Sequence, residues 1–312
     1  MAAAVTFDLA SGCVSERAYG SPNAFRRALT DRLRAAARES QWDLAQLQRQ
    51  LAYDRLLERL YFVDDGWIVK GAAALLAREI GVRASIDIDV YRATAFEIAE
   101  RELREAADRD IGDWFRFEIG PGRPAGDGSP SVRLPVIAFI GATEWARYHV
   151  DLVGSEIVMT GTPEPVPPLA RVAIPDVEQH GYRAYPLVDH IADKVAAMFQ
   201  RYGRDEQPST RFRDLVDLVS MIKGAAMDAS AQTIALRSEE ARRRITLPQR
   251  FDVPDRAAWE PGYAAEARNS LLPYATTLDE ALALVRPFID PLLDGTAVGS
   301  WDPEQSRWRA NP

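Results

Sequence analysis

Cysteine is almost absent from this 312-residue chain. Cys13 stands alone, which excludes an intramolecular disulfide framework and any cysteine-rich zinc site. Histidine is scarce too: His149, His180 and His190 fall at no zinc-finger spacing. Long apolar runs are also missing. Stretches such as Gly71–Ala77 and Pro135–Ala142 fall far short of the roughly 20 residues that a membrane-spanning helix needs. Met1–Leu9 has no basic segment leading into an apolar one, so no secretory signal is expected there. The expectation is a soluble, cytoplasmic protein that makes no membrane contact. Lysine is rare as well. Only Lys70, Lys194 and Lys223 occur, and the other 35 basic residues are arginine. Coding bias accounts for an arginine surface, but a retained lysine marks a place where a compact ammonium suits the chemistry better than a planar fork.

The remaining composition is that of a globular protein. Hydrophobic residues make up 47% and charged residues 27%, with 46 acids against 38 bases and a net charge of −8. The length fits two lobes, or one domain with a large extension. Ser21-Pro22 reads as an N-cap with proline in the first helical turn, and helical spacing dominates from there to about Phe62. Trp67–Val69 reads as a short buried strand running into Gly71 and a helix over Ala72–Ile80. Ser85–Tyr91 alternates strictly as a strand, and Thr94 with Glu97 reads as a capping box opening the next helix. Further strands are expected at Trp114–Ile119, Val132–Ile140 and Tyr148–Val153, with a Gly/Pro-rich loop over Gly120–Pro130. The proline-dense stretch Thr162–Pro168 reads as a loop. Helices follow over Leu187–Tyr202, Arg211–Gly224, Ala231–Arg244 and Thr277–Leu293, the last with a capping box from Thr277 and Glu280. The expected division is an N-terminal tail (1–20), N-terminal helices (21–65), an α/β core (66–185), a helical C-terminal lobe (186–294) and a loosely attached polar tail (295–312).

The sharpest chemical feature is Ser85-Ile86-Asp87-Ile88-Asp89-Val90. In a strand the two aspartates share one face with Ser85, while Ile86, Ile88 and Val90 turn to the other and can be buried. Two such carboxylates repel one another and call for a cation between them. A wet edge strand would show the same alternation. Upstream, Lys70-Gly71-Ala72 ends a strand, turns on glycine and opens a helix, which is how a phosphate reaches backbone amides. Asp151 is a lone acid in an apolar strand, costly to bury unless paired or bound to metal. Three carboxylates on neighbouring strands would suit two-metal phosphoryl transfer. In the helical half, Lys194 lies in a largely apolar helix, and Asp214 and Asp217 lie three residues apart on one face. On pattern alone, ordinary helix-surface charges are the favoured account.

Taken together, these motifs resemble the AbiEii/MenT family of nucleotidyltransferase toxins. The resemblance rests on Lys70-Gly71-Ala72, Arg83-Ala84-Ser85-Ile86-Asp87-Ile88-Asp89, Asp189-His190-Ile191-Ala192-Asp193-Lys194 and Arg213-Asp214-Leu215-Val216-Asp217-Leu218, in family order between about Gln46 and Leu293. It implies an α/β (α+β) fold: a polymerase-β-like nucleotidyltransferase core with N-terminal helices and a helical C-terminal lobe. It implies a nucleoside triphosphate (NTP) substrate, Mg²⁺ with Mn²⁺ as an alternative, and a cognate antitoxin in a toxin–antitoxin or phage-defence pair. It also implies transfer of nucleotides to the 3′ acceptor end of tRNA, which blocks aminoacylation. Matched by position, Asp87, Asp89 and Asp151 would be the metal carboxylates, and with Lys194 and Asp214 they would form the catalytic set. Lys70, Gly71, Ala72, Ser85 and Lys194 would bind the nucleotide. Ala72 departs from the glycine or serine usual at that turn, and the interval from Ala72 to Asp87 is slightly long.

Net charge argues against a generally sticky nucleic-acid binder. Local excesses of arginine over acid occur in residues 21–60 and in Arg237–Arg250. These would suit an RNA, an antitoxin partner or plain solvation. Two other readings stay open on the residues alone: the same core modifying a small molecule or a protein hydroxyl, and a non-catalytic nucleotide- or partner-binding module.

Overall fold

Ser21 caps the first helix, α1 (Pro22–Glu39), by accepting from the Ala24 amide, and Phe25, Leu29 and Leu33 form its buried stripe. The helical run then breaks at Ser40–Asp43. Asp43 and Gln46 form a capping box that opens α2 (Leu44–Val63). This second helix is buried on nearly every side from Gln50 to Leu60, charged residues included. Those charges are paired: Arg55 and Arg59 both grip Asp113, and Asp54 accepts from the Leu169 and Ala170 amides and from the Tyr182 hydroxyl.

The structure, a computed structural model, describes residues 19–310 except 82, 126–130, 156, 171 and 176. Most of the expected N-terminal tail and the end of the expected loop over 120–130 lie outside the described residues. After α2 come β1 (Trp67–Lys70), α3 (Gly71–Ala77), β2 (Asp87–Arg92), α4 (Phe96–Ala107), β3 (Phe115–Ile119), β4 (Arg123–Pro124), β5 (Ser131–Ile140) and β6 (Thr143–Val153). Next are β7 (Glu164–Val166), β8 (Tyr182–Ala184), α5 (Leu187–Phe199), α6 (Phe212–Gly224), α7 (Ala229–Arg243), α8 (Arg256–Arg268) and α9 (Leu278–Leu293). A hairpin of β9 (Ser300–Asp302) and β10 (Arg307–Arg309) follows. Among the described residues this is a mixed α/β chain with nine helices around one central mixed sheet, ordered β3-β5-β6-β2-β1-β8-β7, with β4 pairing β5. The pairs β2–β6 and β1–β8 are parallel; the others are antiparallel.

One face of the sheet packs on α1, α2 and α4, with Ile88, Val90, Leu134, Val136, Val150 and Leu152 in that core. A second core joins α5–α9, and Leu75 of α3 and Trp301 of the terminal hairpin are part of it. The other sheet face, carrying the polar alternates of β2, β5 and β6, looks toward the helices of this second core across a cleft.

Five local expectations are corrected. Thr94 does not cap α4. Its hydroxyl bonds the Ala95 carbonyl while its amide closes a turn onto Arg92, and Ala95 takes the cap position without a side-chain bond. Within Thr162–Pro168, Glu164–Val166 pairs with β8 as an edge strand, where Pro165 can sit because an edge leaves some amides unneeded. The helix α8 was hidden by Pro261 and Gly262, which interrupt its pattern. Ile86 is 62% exposed, because β2 begins only at Asp87. The terminal tail is anchored, with Trp301 buried, its indole donating to the Ile222 carbonyl, and Trp308 stacked on Phe288.

Candidate active site

Strand register sets a row of alternating charge across the sheet. Lys70 on β1 faces Asp89 on β2, Asp89 faces Asp151 on β6, and Asp151 faces Arg133 on β5. Residues in register point to the same side, so the four share the cleft face. One step along, Asp87 faces His149. Apolar alternates between them fill the opposite face, which is why the chain places polar groups here without opening the core.

Each carboxylate has a distinct environment. Both oxygens of Asp151 accept from the fork of Arg133, at 2.8 and 2.6 Å. The same guanidinium reaches Asp87 Oδ2 at 3.3 Å, and His149 Nδ1 lies 3.0 Å from Asp87 Oδ1. Burial, and after it the neighbouring charge of Asp151, pushes the Asp89 carboxyl up to about 6. Asp89 leans on Gly71, where an added Cβ would stand 1.8 Å from Asp89 Oδ2. Gly71 also has φ +59, so glycine is required there twice over, by backbone and by space. Ala72, the next residue, is buried in the first turn of α3, which is only seven residues long. Ser85 is not on the strand but in the turn before it. Its hydroxyl donates to the Asp87 carbonyl at 2.6 Å, and its own carbonyl accepts from the Tyr53 hydroxyl.

The helical side supplies the cations. Lys194 on α5 is buried and donates to Asp214 Oδ1 and Asp217 Oδ2 on α6, each at 2.7 Å. Burial pulls its pKa down, but Asp214 and Asp217 outweigh burial and hold the ammonium above its usual value. Arg83 forks onto Asp217 at 2.9 and 2.8 Å, tying the segment before β2 to α6. The Lys70 ammonium lies over the Tyr185 ring, 4.1 Å from its centroid, and burial lowers its pKa. Arg242 and Arg243 on α7 pair with Asp193 and Glu239. Lys70, Arg83, Asp193, Lys194, Asp214, Arg242 and Arg243 line a cleft of about 610 Å³ together with Gly71, Ala72, Ser85, Asp87, Asp89 and Asp151. The structure therefore brings together every residue singled out above for catalysis or nucleotide binding.

Several residues in or beside the cleft were given no site role from the sequence. Arg133, which holds Asp151, carried a faint signal, as a charged alternate in Ser131-Val132-Arg133-Leu134, but its meaning depends on register with Asp151. Asp193 stood in the quoted motif before Lys194, and Arg242 and Arg243 in the basic excess of Arg237–Arg250, where they pair with Asp193 and Glu239. Of the basic excess in residues 21–60, Arg55 and Arg59 are buried against Asp113 and offer nothing to a ligand. The exposed Arg26, Arg27, Arg34 and Arg38 lie on α1, whose start packs at Gly141, beyond the Ile140 end of β5. The cleft is on the other face of the sheet, at the Ser131 end of β5.

Among the described residues, no three acidic or histidine side chains converge as a ready metal cage. The donor chemistry nonetheless fits a hard divalent cation: three carboxylates present oxygens from one face of two adjacent strands, and their mutual repulsion is visible at Asp89.

The comparisons agree with this architecture. The family model described as "Nucleotidyl transferase AbiEii toxin, Type IV TA system" matches residues 55–284. Among solved structures the chain resembles MenT4, a nucleotidyltransferase toxin from Mycobacterium tuberculosis H37Rv. Identity is 17%, the TM-score is 0.54, and 86% of this chain and 89% of that one are covered. Weaker likenesses are JHP933 from Helicobacter pylori (15% identity, TM-score 0.43, 79% and 92% covered) and a putative nucleotidyltransferase from H. pylori (17%, 0.40, 79% and 95%). No curated protein gives a match. Among the described residues no helix is long and apolar enough to cross a membrane. With the family model covering well over half of its length, the chain belongs to the AbiEii nucleotidyltransferase toxin family.

Proposed function

We propose that this protein transfers a nucleotide from an NTP to the 3′-hydroxyl at the acceptor end of tRNA, and that translation stalls because the blocked tRNA is not aminoacylated. The observation that carries the transfer reading is the pairing of two walls of one cleft: carboxylates Asp87, Asp89 and Asp151 on the sheet, and the ammonium of Lys194 on the helices. Asp87, Asp89 and Asp151 would hold Mg²⁺ or Mn²⁺, which when bound lowers the charge on the α-phosphate and on the departing oxygen. Lys194, held by Asp214 and Asp217, is aimed to neutralise the β- and γ-phosphates. The Gly71–Ala72 turn lets a phosphate approach the backbone, with Lys70 and Ser85 on the same wall. Asp151 takes the proton of the attacking hydroxyl. The 3′-oxygen bonds to the α-phosphorus, the α–β bridging bond breaks, and pyrophosphate carries off the electron pair.

The tRNA acceptor is proposed on the family resemblance. A cognate antitoxin is proposed on the same family grounds, as is the division into a nucleotidyltransferase core (66–185) and a helical lobe (186–294).

The test is incubation of the full chain with total tRNA and each labelled triphosphate, in Mg²⁺ and in Mn²⁺, with Asp87→Ala as the control. The expected result is tRNA extended at its 3′ end by the wild type alone. An active preparation that labels a protein or a small molecule and leaves every tRNA unextended would assign the reaction to another acceptor.

A further inference from the structure

Arg133 is placed unlike the two arginines that grip Asp113. Arg55 and Arg59 meet Asp113 with side chains 3% and 0% exposed, locked by packing on all sides. Arg133 makes an equally close fork with Asp151 and reaches on to Asp87, yet its side chain is 43% exposed. That exposure leaves the guanidinium a path into solvent. Among its partners are two of the three carboxylates assigned to the metal. With His149 on Asp87 Oδ1 and the Arg133 fork on Asp87 Oδ2 and on both oxygens of Asp151, every oxygen of these two groups is already engaged.

We propose that Arg133 is a built-in counter-ion that the divalent cation must displace, and that this makes metal and triphosphate bind together rather than singly. The inference rests on the metal-binding reading of Asp87 and Asp151 above. A cation arriving alone gains two carboxylates but must strip them of a bidentate, charge-assisted partner. A triphosphate changes that balance, because its oxygens give the released fork a new anion of matching geometry. Each ligand therefore lowers the cost of the other, and the coupling is reciprocal. Without substrate Arg133 offsets part of the charge of the two carboxylates.

The test measures Mn²⁺ binding to the full-length protein by electron paramagnetic resonance, without nucleotide and then with non-hydrolysable α,β-methylene triphosphates. Wild type is expected to bind Mn²⁺ weakly alone and much more tightly with triphosphate. Arg133→Gln is expected to bind Mn²⁺ alone at least tenfold more tightly, and its triphosphate enhancement to shrink correspondingly. Arg133→Lys, whose single ammonium cannot span two carboxylates, should bind Mn²⁺ about threefold more tightly than wild type; it carries the test alone if Arg133→Gln does not fold. Unchanged or weaker Mn²⁺ binding in the folded variants overturns the counter-ion role and leaves the metal reading intact. Failure of wild type and variants to bind Mn²⁺ under either condition overturns both. Asp87→Asn, as the control, should lose the site in either background.

Discussion

Asp89 and Asp151 face each other in register on two adjacent parallel strands, and burial together with that opposing charge keeps the Asp89 carboxyl at about 6. Like charges directly opposite across a sheet are destabilising, so a fold selected for stability alone would not keep them. Asp89→Asn is therefore expected to leave metal-free stability unchanged or raised by about 0.5–1 kcal/mol, while nucleotide transfer falls by roughly a thousandfold or more. Denaturant melts in chelator beside a transfer assay check both halves. A large loss of stability would mark Asp89 as a structural group.

Gly71→Ala should be costly in two separable ways. The left-handed backbone alone costs about 1–2 kcal/mol for a residue with a side chain, and the new methyl would collide with the Asp89 carboxylate. A total loss of roughly 2–4 kcal/mol is expected. In an Asp89→Ala background the collision disappears and only the backbone part should remain. A double-mutant cycle showing no interaction between the two positions would contradict the close approach.

Besides the phosphate role proposed for it, Lys194 neutralises two buried acids. Lys194→Ala should then cost about 3–5 kcal/mol as well as activity, since breaking a buried pair leaves charge uncompensated. Adding Asp214→Asn should restore part of the stability and none of the activity. Lys194→Arg should also fail, its planar fork being too large for the pocket between α5 and α6.

Asp54 supplies a pH signature away from the cleft. Burial pushes its carboxyl up to about 6 against 3.8 in an unfolded chain, despite the Leu169 and Ala170 amides and the Tyr182 hydroxyl that favour the charged form. The folded state therefore binds the proton more tightly, and the stabilisation is complete below about pH 4 and lost as pH rises through 6. Relative to Asp54→Asn, wild type should lose about 2 kcal/mol between pH 4.5 and 7. A wild type that instead gains over that range would show that the donors outweigh burial.

Trp301→Ala should destabilise the helical half by about 3–5 kcal/mol. The indole is 1% exposed, bonds the Ile222 carbonyl and lies edge-on to Phe288. Thermal unfolding of the variant, and of a chain ending at Asp294, checks that the hairpin belongs to the second core.

What the sequence determined by itself was everything governed by short-range periodicity and capping. The two-residue repeat in Asp87-Ile88-Asp89-Val90 is enough to put both aspartates on one face, with Ile88 and Val90 buried behind them. The same holds for the caps at Ser21 and Thr277, and for most of the helices, because a helix or strand places its residues by fixed geometry. One failure was itself local: the Thr94 hydroxyl donates to the neighbouring Ala95 carbonyl instead of capping α4. Elsewhere a distant partner decided the outcome: Pro165 was tolerated because β7 became an edge, and the polar tail was held by tryptophans reaching Ile222 and Phe288. The charge row Lys70–Asp89–Asp151–Arg133 belongs wholly to tertiary structure. Its four members come from four strands, up to 81 positions apart, and only the pairing register sets them side by side. No single segment encodes that register; it follows from burying four apolar faces against the same helices at once.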